Sequence, residues 1–265
     1  MDMMAKLSHE IRTPLNSIIG LNRIISDNLN DSGKVEDCSK KIAVASDYLL
    51  TIVNNLLDME QFSTGKASLN ETDFSLTQLL NFLSVVFEES AKEDEIELSF
   101  TTSNLPEYVF GDKERLRRVL SNLLSNAIRY NKKYGHVDFI IENLGLSNGA
   151  YKIRFTVSDD GIGMSEEKIK NIFVPYSDLS TPDSDVIYGV GMGLSVASNI
   201  VKEMGGTINV SSAEGTGSTF WFEIGLKVSE AFEGVADLEE KKELEGKTIL
   251  IADDDSINCS IICHL

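Results

Sequence analysis

Three shortages bound this chain before any motif is considered: cysteine, basic charge and long apolar runs. Only three cysteines, Cys38, Cys259 and Cys263, occur in 265 residues, an odd number with no metal-ligand spacing. That argues against a disulfide-stapled scaffold or a zinc ribbon and suits reduced thiols in a cytosolic protein. Lysine and arginine number 24 against 42 acidic residues, a net charge of −18. This argues against a nucleic-acid partner, because binding a phosphate backbone needs a basic footprint. No apolar run reaches the roughly 18 residues that a membrane span needs, and no signal peptide is visible. The chain therefore reads as cytoplasmic, with any membrane attachment confined to missing segments of a parent protein. Internal repeats are absent too.

What is present is ordinary for a soluble globular protein: 42% hydrophobic and 25% charged residues. The length suits two domains plus a remainder. Residues 3–29 carry Met4, Leu7, Ile11, Leu15, Ile18, Ile25 and Leu29 at helical spacing. Turn chemistry at Asn28–Gly33 leads to a second helix over about 35–61, with Cys38, Ile42, Ala45, Leu49, Ile52, Val53, Leu56 and Met59 on one stripe. Two helices bury too little alone, so this hairpin is expected to pair with a second copy as a four-helix bundle, a homodimer. Pro14 lies inside the first helix and removes the bond its N–H would make to Glu10. From Leu69 the pattern changes. Helical stretches at 75–92 and 112–130 alternate with strand-like ones at Ile96–Thr101, Val137–Glu142, Ile153–Ser158, Thr207–Val210 and Ser218–Ile224, which predicts a two-layer α/β sandwich. Residues 227–246 are polar and charged, and Lys247–Ala252 then forms a buried-strand pattern ending in Asp253-Asp254-Asp255.

Several motifs lie on this frame. Ser8-His9-Glu10-Ile11-Arg12-Thr13-Pro14-Leu15 places a histidine beside a carboxylate that can orient its ring and raise its nucleophilicity. Asn122 and Asn126 sit four apart on one helix face, with Arg129 and Tyr130 close by, and neutral carbonyl oxygens suit a magnesium ion that keeps its waters and phosphates. Asp159-Asp160-Gly161-Ile162-Gly163 follows a strand, where a carboxylate can accept from an adenine amino group. Gly189-Val190-Gly191-Met192-Gly193-Leu194 opens a helix over Ser195–Met204, the arrangement of an anion site built from N–H groups. The stretch Ser165–Tyr188 before it reads as a long loop and a candidate lid. Gly215-Thr216-Gly217-Ser218-Thr219-Phe220 returns the chain to a last strand. With so acidic a chain, phosphate must be neutralised locally, by a metal and by helix N-termini.

In this order the motifs resemble the core of a two-component sensor histidine kinase over about residues 3–226. The Ser8–Leu15 stretch is similar to that family's phosphoacceptor box, Asn122–Tyr130 to its asparagine box, Asp159–Gly163 and Gly189–Leu194 to its glycine boxes, and Ile172–Tyr176 to its phenylalanine box. The resemblance implies an α+β multidomain chain: a helical-hairpin dimerisation domain, a four-helix bundle as the dimer, then an α/β sandwich ATP-binding domain of the GHKL type. It divides the chain into dimerisation and histidine phosphotransfer (1–66), catalysis and ATP binding (67–228), a linker (229–246) and the truncated start of a receiver domain (247–265). His9 would take the γ-phosphate of ATP, Glu10 would orient it and help accept its proton, and Thr13 would position water for dephosphorylating a partner. Asn126 would hold Mg2+ with Asn122 in support, and Asp159 would read the adenine. Arg129, Tyr130, Gly161, Gly163, Gly189, Gly191, Gly193, Leu194 and Thr219 would complete the nucleotide site. Phosphate would pass on to an aspartate of a receiver domain, in the parent chain or in a separate response regulator.

The pattern departs from the family in places. Arg129 stands where lysine is usual, Tyr176 is the second aromatic of its box, and no lysine or arginine occurs from Asn171 to Val201, where Asp178, Asp183 and Asp185 add negative charge. Two alternatives use the same frame: an ATPase whose nucleotide gates a conformational change, and a nucleotide-binding pseudokinase that acts as a dimeric interaction module. His9, Glu10 and Thr13 on a dimerisation hairpin speak against the first. An intact Asn126, Asp159 and glycine set speaks against the second.

Overall fold

The computed structural model describes residues 3–63, 69–174 and 193–229. Two long helices come first, α1 (Met3–Asp27) and α2 (Ser32–Ser63), packed against each other. In α1, Ile11, Pro14, Ile18, Leu21 and Ile25 are buried or half-buried at alternating spacings of three and four, and in α2 so are Cys38, Ile42, Ala45, Leu49 and Ile52. This is the inner seam of a paired-helix hairpin. Helix α1 runs on through Pro14, which is buried in that seam. Three residues expected on the inner stripes lie elsewhere. Leu15 (43% exposed) and Val53 (40%) belong to a second, open stripe, and Leu29 (73%) sits in the turn, because α1 ends at Asp27.

The remainder is one mixed sheet with helices on one face. In chain order it comprises β1 (Thr72–Ser75), α3 (Leu76–Glu93), β2 (Glu97–Ser103), β3 (Tyr108–Gly111), α4 (Lys113–Arg129), β4 (His136–Ser147) and β5 (Ala150–Asp159). It ends with α5 (Glu166–Asn171), α6 (Gly193–Glu203), β6 (Asn209–Ala213) and β7 (Gly217–Val228). The strands run in the order β1-β3-β7-β5-β4-β2, with β6 also pairing with β7. Among the described residues, only the β2–β4 pair is parallel. Alternate residues Phe139, Ile141, Ile153, Phe155, Val157, Phe220, Phe222 and Ile224 are buried on the face that meets α3, α4 and α6. The residues between them, such as Asp138, Arg154, Ser158, Thr219 and Glu223, remain partly exposed on the other face, as expected of an antiparallel sheet covered on one side. Phe155 and Phe222 stack at 5.0 Å at the centre. The β4–β5 hairpin closes through Asn148 and Gly149, both at positive φ (52° and 74°), the conformation a two-residue turn requires.

Helix α4 matters most for the site. It starts where Asp112, 4% exposed, accepts from the Arg115 N–H (3.0 Å) through one carboxylate oxygen and from Asn70 (2.9 Å) through the other. Its apolar stripe, Leu116, Val119, Leu120, Leu123, Leu124, Ala127 and Ile128, locks it to the core and leaves Asn122 and Asn126 half-buried at the edge. The sequence reading passes over three elements. β1 and β3 have four residues each, too few to show a period of two. α5 interrupts the stretch read as a loop from Ser165: Ser165 caps it by accepting from the Lys168 N–H (3.4 Å), and Glu166 and Glu167 favour its first turn. Residues 230–265, with the expected linker and receiver segment, lie outside the described residues.

Candidate functional site

The C-terminal end of β5 and the start of β7 form one corner of the sheet, and the ends of α4 and α6 stand above it. At that corner Asp159, on β5, lies directly opposite Ser218 on β7, and Ser218 lies opposite Ser212 on β6. The Asp159 Oδ1 accepts from the N–H groups of Gly161 (3.0 Å) and Ser218 (3.1 Å). Among the described residues nothing engages its other oxygen. Burial pushes the Asp159 carboxyl above the ordinary aspartate range, the two N–H bonds oppose that shift, and the charge of Asp160 adds to it.

Asp160 is built differently. Its carboxylate accepts from the backbone N–H of His136 (2.7 Å) and meets Lys132 Nζ at 3.0 Å. The His136 bond above all, with help from Lys132, holds it below the ordinary range. Of two adjacent aspartates, one has an oxygen left for a ligand and the other is fully committed to the fold.

The loop after Asp159 is fastened on both sides. The Ile162 N–H donates to the Tyr130 carbonyl (3.1 Å), its own carbonyl accepts from Gly215 (2.8 Å), and the Met164 N–H donates to Ser212 Oγ (2.9 Å). Gly163 takes a φ of +61°, and a Cβ there would run into the Ala213 carbonyl, so only glycine fits. A Cβ on Gly161 would likewise run into the Tyr130 carbonyl oxygen. On the α4 side, Asn122 reaches the first turn of α6: a Cβ on Gly193 would stand 3.0 Å from its Oδ1. Among the described residues, no protein group hydrogen-bonds the side chain of Asn122 or Asn126. Arg129 lies over the ring of Tyr130 at 5.6 Å and, among the described residues, has no carboxylate partner, whereas the nearby Lys132 and Lys133 are paired with Asp160 and Glu95. No three His, Cys, Asp or Glu side chains among the described residues form a metal cage. The donor set on offer is thus neutral amide oxygen, which fits a magnesium ion ligated mainly by phosphate and water.

One nucleotide-site residue expected from the sequence, Thr219, faces away from this pocket. Thr219 bonds Ser158 Oγ (2.8 Å) on the open face of the sheet, so its hydroxyl points away from Asp159. One residue of register separates it from Ser218, and in a strand one residue changes the face. Leu194 is 9% exposed and anchors α6 in the core. Sequence reasoning missed Ser218 and Ser212. The signal was available, because pairing Asp159 with the last strand selects the even-numbered residues of that strand. Gly189 and Gly191, the lid from Pro175 onward, and the acidic residues Asp178, Asp183 and Asp185 lie outside the described residues. His9, Glu10 and Thr13 lie on α1, with Thr13 half-buried, and the side chains of His9 and Glu10 are likewise outside the described set.

Known proteins share this arrangement. Residues 111–228 match the family of histidine kinase-, DNA gyrase B- and HSP90-like ATPases, and residues 1–65 match the His Kinase A (phospho-acceptor) domain. The catalytic domain of histidine kinase ThkA is 32% identical over 60% of this chain and 99% of that domain, with a TM-score of 0.50. The chain belongs to the histidine kinases. A histidine kinase core of this kind joins a phospho-acceptor hairpin to an ATPase-type sandwich, the two-part fold seen here. The signal transduction histidine-protein kinase BarA of Escherichia coli is 33% identical over 86% of the chain, which spans 25% of BarA's length. ThkA solved with the response regulator protein TrrA aligns with 84% of this chain and 60% of that one, at 28% identity and a TM-score of 0.60. Among the described residues, no helix is long and apolar enough to cross a membrane.

Proposed function

We propose that this histidine kinase core binds ATP at the Asp159 corner, phosphorylates its own His9, and passes the phosphate to an aspartate of a receiver domain. The observation that carries this reading is the set of groups the fold leaves open around one corner: an Asp159 oxygen, the amides of Asn122 and Asn126, and the Arg129 guanidinium. They match, in order, a base amine, a magnesium-bound triphosphate and phosphate charge. Magnesium, when bound, neutralises and orients the phosphates. Asn126 holds it and Asn122 supports that position. Tyr130 and the loop Gly161–Gly163 wall the base, and Gly193 opens α6 beside Asn122. Arg129 meets phosphate as a fork where lysine would be a point charge.

A ring nitrogen of His9 attacks the γ-phosphorus as the bond to the bridging oxygen breaks and ADP leaves. Glu10 orients the ring and accepts the proton it sheds. The work is mostly positioning and charge neutralisation. Thr13, one helical turn on, positions water when a phosphorylated receiver is dephosphorylated. The open stripe of the hairpin, with Leu15 and Ile19, closes against a second copy as a four-helix bundle in the cytoplasm. The test is incubation with γ-labelled ATP and Mg2+, beside His9→Ala. Acid-labile label on the wild type and none on the variant supports the reading. Equal labelling of both, or none on a wild type that binds ATP, overturns it.

A further inference from the structure

The three directly opposed residues Asp159, Ser218 and Ser212 share one face of the sheet and are joined by hydrogen bonds whose direction is fixed by their partners. Ser212 Oγ meets the Met164 N–H at 2.9 Å, the Gly217 carbonyl at 2.8 Å and Ser218 Oγ at 3.0 Å. An N–H only donates and a carbonyl only accepts. The single hydrogen of Ser212 therefore goes to Gly217, and its oxygen accepts from Met164. The third contact then requires Ser218 to donate to Ser212. Ser218 is 8% exposed, and its backbone N–H already binds Asp159. With its hydrogen turned toward Ser212, its hydroxyl has only lone pairs to offer a further partner.

We propose that Ser212 is a positioning residue that fixes Ser218 as a hydrogen-bond acceptor beside Asp159, and so sets the pocket's preference for a base bearing an exocyclic amine over one bearing a carbonyl at the same position. The proposal rests on the nucleotide site proposed above. Two acceptors side by side match the two hydrogens of an amine. A base carbonyl would bring a third acceptor against them, and buried acceptors without donors are penalised. Without the Ser212 oxygen, the Ser218 hydrogen loses its partner and can turn to a base carbonyl.

The experiment is the binding of ADP and IDP, which differ in this feature, to the full chain with Ser212, Ser212→Ala or Ser212→Thr. Ser212→Ala leaves the Met164 N–H and the Gly217 carbonyl without their partner and should lower the melting temperature, whereas Ser212→Thr should restore it, so binding is read below both transitions. Loss of the Met164 bond weakens both nucleotides alike, so the ADP/IDP ratio reads the polarity. That ratio should fall by about tenfold in Ser212→Ala, the size of one hydrogen bond, and return in Ser212→Thr, which keeps the hydroxyl. An unchanged ratio in Ser212→Ala, or a Thr variant no better than Ala, overturns the proposal while the site itself stands. A wild-type chain that binds neither nucleotide overturns both.

Discussion

The hairpin and the sandwich solve the same burial problem to different degrees. In the sandwich, apolar side chains from three helices and one sheet face close on themselves, and Phe139, Phe155, Phe222 and Leu120 are fully buried. In the hairpin, the described residues cover a narrow seam, and Leu15 and Ile19 on α1 stay 43% and 45% exposed. The sandwich is complete as one copy and the hairpin is not. The same contrast recurs at smaller scale between Asp160, whose oxygens are held by His136 and Lys132, and Asp159, which keeps one open. In both cases the groups left open are those to which the proposed function assigns a contact, a second copy at the hairpin and a nucleotide at the sandwich.

The largest effect should come from opening the closed half. Phe222→Ala removes a ring stacked on Phe155 in a fully buried layer and should cost about 3–5 kcal/mol. Urea unfolding of the sandwich would show this, and nucleotide binding should fail with it while the hairpin remains helical. A cost below about 1 kcal/mol would mean that the core is less closed than described.

Charging the open half should do the reverse. Leu15→Glu with Ile19→Glu places two carboxylates on the exposed stripe, where each apolar side chain buried in a dimer contributes roughly 1.5–3 kcal/mol. Sedimentation should then report a monomer whose sandwich melts at the wild-type temperature. A variant that remains dimeric would place the interface elsewhere.

A smaller effect concerns pH. Asp159 accepts from a base amine most strongly when ionised, and burial holds its carboxyl above the ordinary aspartate range. As pH falls through that raised value, affinity should drop by about tenfold per unit, beginning above the ordinary aspartate range. The fold behaves differently. A raised carboxyl pKa favours the folded state as pH falls, so this group does not drive acid unfolding. Asp160, lowered by the His136 bond, contributes stability above 3.8 that is lost only as pH falls through its depressed value. Nucleotide binding should therefore fail at a higher pH than the sandwich does. Coincident loss would contradict the separation.

Much of this was legible in the sequence because it rests on period and spacing. Both hairpin helices, α3, α4 and five of the seven strands follow from apolar periodicity. The Asn122/Asn126 pair and Asp159 follow from residue type at fixed offsets. What escaped depends on pairing. β1 at the sheet edge and β3 between it and β7 have four residues each, and their strand character comes from their partners. The sequence points to Thr219 and not to Ser218 because composition does not report register, and the face a strand residue occupies is decided by what it is paired with. Leu15 was placed inside because one helix can carry two apolar stripes, and only the docked α2 shows which one the hairpin uses.

The most direct test is calorimetric titration of ADP with Mg2+ into the wild-type chain, Asp159→Asn and Asp160→Asn. Asp159→Asn should lose at least about tenfold in affinity, having exchanged an ionised acceptor for an amide, and Asp160→Asn should stay within about threefold. Equal losses, or a larger loss at Asp160, would contradict the claim that the uncommitted carboxylate is the one that binds.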